Sequence, residues 1–323
     1  MNLNEKLSLA ILPTPIRKLE NLSKEYGFDL YVKMDDLTHF LASGNKIRKL
    51  EYLLKDAKDK NSDIVFTCGG VQSNHCRATA VLSKSLGMQP VLFLRGSKPE
   101  IFNGNLLIDM LIGSEIVYVT PEQYKNIDEI FKEYSKKYES EGKKVYIIPE
   151  GGSNSLGALG YVNAVFELDK QVDLDQFDAV CCALGSGGTV AGLIAGLNLV
   201  DKPCRVIGFN VTKTDKDEFT EKIFKLLNGM SEFDVDLKLE KVRMEVIDDF
   251  SGPAYAVPTF EDLELIKHVA ELETLILDPV YTSKALRGTI ETFKNSGKKV
   301  IFIHTGGTFG LFAQAEKITQ IMR

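Results

Sequence analysis

Short runs of consecutive apolar residues alternate along this chain with segments whose apolar positions recur every three or four residues. "DLYVKMD" (29–35), "DIVFTCGG" (63–70), "QPVLFLRG", "EIVYVT", "KVYIIPEGG", "FDAVCCALGSGG", "CRVIGFNV" and "KKVIFIHTGG" read as strands. Their apolar runs are nearly unbroken, as expected of strands covered on both faces. Between them, "GNKIRKLEYLLKDAKD" places Ile47, Leu50, Leu53 and Leu54 on one helical face. "SNHCRATAVLSKSLG" (73–87) opens on an N-capping Ser and closes on Gly, and "NGNLLIDMLIG" closes on Gly113. Strands interleaved with helices predict an α/β protein with right-handed crossovers and open, mostly parallel sheets flanked by helices.

Composition narrows the function without naming it. The 323 residues are 44% hydrophobic and 26% charged with a net charge of −6, and no basic stripe stands out, which disfavours a nucleic-acid partner. The N-terminal segment has neither the pattern of a signal peptide nor that of a transit peptide, and five cysteines in apolar contexts fit buried thiols, so a cytoplasmic setting is expected. Residues 179–200 carry no charge and are long enough to span a bilayer. Five glycines interrupt them, so a strand, a tight loop and a buried helix are the better reading, with no membrane partner.

Four strand ends run into glycines and small hydroxyls: "TCGGVQSNH", "PEGGSNSLG", "ALGSGGTVAG" and "HTGGTFG". Ligands bind beyond the carboxyl ends of strands in such sheets. In "GSGGT", Gly185, Ser186, Gly187, Gly188 and Thr189 stand between a strand and a helix, where backbone amides can meet an anion. The loop matches neither a dinucleotide fingerprint, since position 190 is Val, nor a Walker loop. Alone it leaves phosphate binding and a simple tight turn equally open. No zinc-type spacing and no Gly-x-Ser-x-Gly elbow occurs. Lys46, directly after Ser-Gly-Asn at a helix start, offers an amine for a Schiff base, and pyridoxal 5′-phosphate is the cofactor that needs both that amine and a phosphate cup.

The motifs "LPTPIRKLENLSKEYGFDLYVKMDDLTHFLASGNKIRKLEYLL", "GGVQSNHCRATA", "IPEGGSNSLGALGY", "GSGGTVAG", "LDPVYTSKA" and "IHTGGTFGLF", in this order from Leu12 to Phe312, resemble the D-cysteine desulfhydrase and 1-aminocyclopropane-1-carboxylate deaminase family. These are fold-type II pyridoxal-phosphate enzymes related to tryptophan synthase β. The resemblance implies a larger domain of residues 1–48 and 159–323, a smaller one of residues 49–158, a cofactor in the cleft between them, and a homodimer. It assigns the Schiff base to Lys46, a phosphate contact to Lys49, the cofactor's ring hydroxyl to Asn74, the substrate carboxylate to Gln72, Ser73 and Asn74, and the phosphate to Gly185 through Thr189. It gives Tyr255 and Tyr281 acid–base or nucleophilic roles, although packing with one hydrogen bond is the bland alternative for each. Thr282 and Thr305 stand at the cofactor's ring end, where the ring-opening deaminases resemble "DPVYEGK" and "HLGG". Ser283 departs from the more usual Gly.

Two hydroxyls in place of a carboxylate favour β-elimination of D-cysteine to hydrogen sulfide, pyruvate and ammonia, since the departing thiolate spares the cofactor an extended carbanion. Lys46 is the expected base for the Cα proton and Ser73 its alternative. The competing expectations are a relative acting on the cyclopropane amino acid, L-cysteate or a β-substituted D-alanine, a non-catalytic pyridoxal-phosphate protein, and a nucleotide-binding module built on the glycine loop.

Overall fold

The computed structural model describes residue 3 and residues 5–321. Its larger sheet has six strands, β1 (Ile16–Lys18), β2 (Asp29–Lys33), β7 (Ala179–Leu184), β8 (Arg205–Asn210), β9 (Met244–Ile247) and β10 (Lys299–Ile303). The order is β1-β2-β10-β7-β8-β9, parallel throughout except for β1. A smaller sheet, wholly parallel, is ordered β5 (Glu115–Val119), β4 (Gln89–Arg95), β3 (Ile64–Gly70), β6 (Val145–Ile147). In the larger sheet Ile301 pairs with Tyr31 on one side and Val180 on the other. All six residues of β7 are buried, which is why "AVCCAL" tolerates no polar alternation.

Among the described residues the helices are α1 (Glu20–Tyr26), α2 (Lys46–Asp59), α3 (Asn74–Ser85), α4 (Gly104–Leu111), α5 (Pro121–Lys125), α6 (Ile127–Ser140), α7 (Ser155–Gln171), α8 (Gly188–Leu199), α9 (Lys216–Asn228), α10 (Phe260–Glu273), α11 (Thr282–Phe293), α12 (Thr308–Phe312) and α13 (Ala315–Ile321). The apolar face expected of α2 is real: Ile47, Leu50, Leu53 and Leu54 are fully buried. The uncharged stretch 179–200 divides into β7, the glycine loop and α8. No helix among the described residues is long and apolar enough to cross a membrane. The five cysteines are free and buried.

Residues 64–147 supply all four strands of the smaller sheet. The places where the family resemblance implies a change of domain, 48/49 and 158/159, both fall inside helices, α2 and α7, which pack on one another. Glycine makes that contact possible. A Cβ on Gly160 of α7 would stand 2.2 Å from the Arg48 carbonyl oxygen, and one on Gly192 of α8 would stand 2.3 Å from that of Ala158.

Arg48 is buried here among partners. Its guanidinium reaches Asp35 at 2.8 Å and Glu167 at 3.0 Å, and Tyr161 donates its hydroxyl to Asp35 at 2.6 Å. Burial pushes the Asp35 carboxyl up, but Arg48 and the Tyr161 hydroxyl more than reverse it, so the carboxyl lies below its usual range. A buried charge so completely paired fixes α2 within its first turn, two residues after Lys46.

Candidate active site

The carboxyl ends of β3, β4, β7 and β10 open on one cavity of about 800 Å³, lined by Gly69, Gly70, Arg95, Gly185 and Thr305 among others. Lys46, Ser73, Asn74, Ser186, Gly187, Thr189, Tyr255 and Tyr281 line the same cavity. Segments far apart in sequence are thus gathered as the strand-end pattern suggested.

Lys46 is held by the turn before it. Gly44 has φ +106° and packs so closely that a Cβ would meet the Thr305 carbonyl at 2.6 Å; Asn45 donates its backbone N–H to that same oxygen at 3.2 Å. Only glycine fits there. Lys46 Nζ donates to Asn45 Oδ1 at 2.8 Å and lies 6.0 Å from the centre of the Tyr281 ring. Burial pulls the ammonium down to about 8, with nearby Asp278 opposing and Arg77 adding to the effect. A lysine so shifted has a neutral fraction near physiological pH far above that of a free lysine, as a nucleophilic amine or a base needs.

The glycine loop forms a cup. Gly187 has φ +91°, and α8 begins at Gly188, so the first-turn amides of that helix stand at the cup. Ser153 stands against the cup: its hydroxyl accepts from the Gly188 N–H at 3.2 Å and lies 2.7 Å from Ser186 Oγ. Lys49 Nζ donates to Ser153 Oγ at 3.1 Å and to the Gly151 carbonyl at 3.2 Å. A Cβ on Gly188 would come within 2.7 Å of Ser153 Oγ and 2.9 Å of Lys49 Nζ, so any other residue would fill the cradle. Burial, with Lys46 and Lys222 adding, lowers the Lys49 ammonium well below its usual value. Such a cation gains by meeting an anion.

Ser73 caps α3, its hydroxyl accepting from the Cys76 N–H at 3.1 Å. Asn74 lines the cavity, with Oδ1 held by Asn105 Nδ2 at 2.9 Å. The hydroxyls of Tyr255 and Tyr281 hydrogen-bond to each other. Burial raises both phenols, Tyr281 well above its usual range, so both are protonated donors.

Two side chains expected in the site are engaged elsewhere. Gln72 donates from Nε2 to Asn103 and accepts the Asn105 N–H at 2.9 Å, which ties the start of α4 to the loop before α3. The Thr282 hydroxyl accepts from the Asp278 N–H at 2.6 Å and donates to Asp278 Oδ1 at 2.8 Å. Asp278 also accepts the N–H groups of Val280, Tyr281 and Thr282, so this pair clasps the start of α11. By contrast, Thr305 lines the cavity and its hydroxyl makes no hydrogen bond among the described residues. Sequence reasoning passed over Ser153, Asn105, Asp278, Arg95 and Lys222. Ser153 and Asp278 stood in quoted motifs, but nothing local distinguishes them from their neighbours.

The profile of the pyridoxal-phosphate dependent enzymes matches residues 7–306. The chain belongs to that family. A Thermotoga maritima protein provisionally named as a 1-aminocyclopropane-1-carboxylate deaminase is 55% identical over 97% of this chain and 99% of its own. The mitochondrial bifunctional D-cysteine desulfhydrase/1-aminocyclopropane-1-carboxylate deaminase of Arabidopsis thaliana is 39% identical over 98% of this chain and 81% of its own. A solved structure described as an ACC deaminase homologue superposes with a TM-score of 0.91 at 39% identity, covering 98% of this chain and 96% of the other. The protein is therefore a fold-type II pyridoxal-phosphate enzyme and a lyase, which sets aside the non-catalytic and nucleotide-binding alternatives. The cradle of Lys49, Ser153 and the α8 amides, with Lys46 three residues before Lys49 on α2, fits pyridoxal phosphate in charge and in donor chemistry.

Proposed function

We propose that this pyridoxal-phosphate enzyme eliminates sulfide from D-cysteine, yielding pyruvate and ammonia. Bound pyridoxal phosphate supplies the electron sink that lets the Cα proton depart. Lys46 would hold the cofactor and would take that proton on its amine; Ser73, at the α3 N-terminus, is the alternative base. Lys49, Ser153 and the loop from Gly185 to Thr189 hold the phosphate, and Asn74 holds the ring hydroxyl. The α3 N-terminus, with the backbone of Gln72 and with Ser73 and Asn74, receives the substrate carboxylate. Tyr281, protonated and paired with Tyr255, serves the leaving sulfur.

The observation that carries this reading is the open hydroxyl of Thr305. A neutral donor at the ring end sustains elimination but gives an extended carbanion less support than a carboxylate would. The names of the relatives favour a second reading, deamination of 1-aminocyclopropane-1-carboxylate, which the Tyr255–Tyr281 hydroxyl pair beside Lys46 could also serve. The purified yellow protein is given D-cysteine, L-cysteine and the cyclopropane amino acid in parallel. Sulfide and pyruvate from D-cysteine alone support the desulfhydrase; ammonia from the cyclopropane substrate without sulfide from D-cysteine rejects it.

The proposal includes a cleft between domains of residues 49–158 and of 1–48 with 159–323, and a homodimer in the cytoplasm. Leu107, Met110 and Leu111, exposed together on α4, support the dimer, and the solution mass tests it.

A further inference from the structure

Arg95 ends β4 at the rim where that strand meets the cavity. Every other described arginine donates to a carbonyl or carboxylate: Arg17 to Glu273, Arg48 to Asp35, Arg77 to Ser43, Arg205 to Glu245, Arg243 to Pro203 and Arg287 to Asp262. Arg95 alone among them makes neither a hydrogen bond nor an ion pair. It is partly buried, and it is oriented by aromatic faces, 4.8 Å from the centre of the Tyr124 ring and 5.7 Å from that of Tyr255. Glu150 lines the same cavity but forms no ion pair with it. A partly buried guanidinium set beside two aromatic rings and left without an acceptor is poised for an anion from outside the chain. Its neighbour Tyr255 is bonded to Tyr281, and both face the cavity with Lys46.

We propose that Arg95 is a specificity residue that selects amino acids whose side chain bears a negative charge or sheds one. This rests on the lyase reading, and it narrows the substrate class. In β-elimination the Cα proton passes to a base while the Cβ–S electron pair leaves on sulfur. Arg95 faces that charge as thiolate, or a standing sulfonate or carboxylate. A hydrocarbon ring substituent offers it nothing.

The test uses holoenzyme and two nearly isosteric ligands, aspartate and asparagine, each as both enantiomers, with binding read from the cofactor absorption band. Wild type is expected to bind one enantiomer of aspartate at least about tenfold more tightly than the matching asparagine. Arg95→Gln abolishes that preference and Arg95→Lys keeps part of it, both with an intact cofactor band. Lys125→Gln, altering an exposed cation at the same cavity, leaves it unchanged. No preference in wild type, or one that survives Arg95→Gln, or one lost only in Lys125→Gln, overturns the proposal. Sulfide release is not the readout, so failure to cleave D-cysteine would reject the proposed function and leave this test standing.

Discussion

Asn45 Nδ2 lies 2.9 Å from Thr189 Oγ1, joining the residue before the lysine to the loop that forms the phosphate cup. Because Asn45 Oδ1 also accepts from Lys46 Nζ, one amide registers both ends of the cofactor site. Asn45→Ala and Thr189→Val are each expected to weaken pyridoxal-phosphate binding by about fivefold, the worth of a buried hydrogen bond near 1 kcal/mol. The double variant should lose little more than either single one, since the two share that bond. Equilibrium titration of the apoenzyme measures this; full additivity would contradict the coupling.

Lys46 should dominate both chemistry and cofactor capture. Lys46→Ala is expected to abolish the yellow absorption band and to reduce turnover by three orders of magnitude or more (about 4 kcal/mol). In wild-type apoenzyme, an amine lowered to about 8 has a neutral fraction at pH 7 roughly 300-fold that of a free lysine. The rate at which the band develops on adding cofactor should therefore rise with pH and level off above about 8. A rate still climbing steeply at pH 10 would show an unshifted lysine.

Lys49, buried in the cup and lowered there, should be charged when phosphate binds. The sign follows from the shift: the anion favours the ammonium, so binding takes up a proton instead of releasing one. Calorimetry of pyridoxal phosphate binding to the Lys46→Ala protein, run at neutral pH in buffers of different ionisation enthalpy, measures that uptake. Lys49→Met should eliminate it and weaken binding; equal heats in all buffers for the parent variant would sink the idea.

Gly160 permits α7 to touch the backbone of α2 at Arg48. Gly160→Ala is expected to cost about 1–3 kcal/mol and to lower Tm by a few degrees. The same strain displaces the helix that carries Lys46 and Lys49, so cofactor affinity should fall with stability. An unchanged melting curve would mean that the two helices can separate freely.

Local patterns explain why much of this site was legible in sequence. Lys46 follows a turn that only Gly44 can make, the phosphate cup is a contiguous run of five residues, and β7 announces its double burial by containing no polar residue. Short or edge strands, β1 and β9, carry no comparable signal. The rest depends on contacts between distant segments. Ser153 becomes part of the cup only because the turn after β6 meets α8, and Asn105 positions Asn74 across α3 and α4. For Gln72 and Thr282 the family resemblance implies ligand contacts; the structure gives their side-chain polar atoms to Asn103, Asn105 and Asp278. Side-chain type marks where a donor can be, and packing decides what it meets.

Helix α2 has Lys46 as its first residue and is packed further along by α3 and α7. Its 14 residues form a rod of roughly 21 Å. A tilt of about three degrees at its far end moves the first turn by roughly 1 Å, a displacement that matters to a reacting amine. The helix is thus a lever, and a disturbance at the outer end of the smaller sheet's packing is delivered to Lys46 without any intervening loop to absorb it.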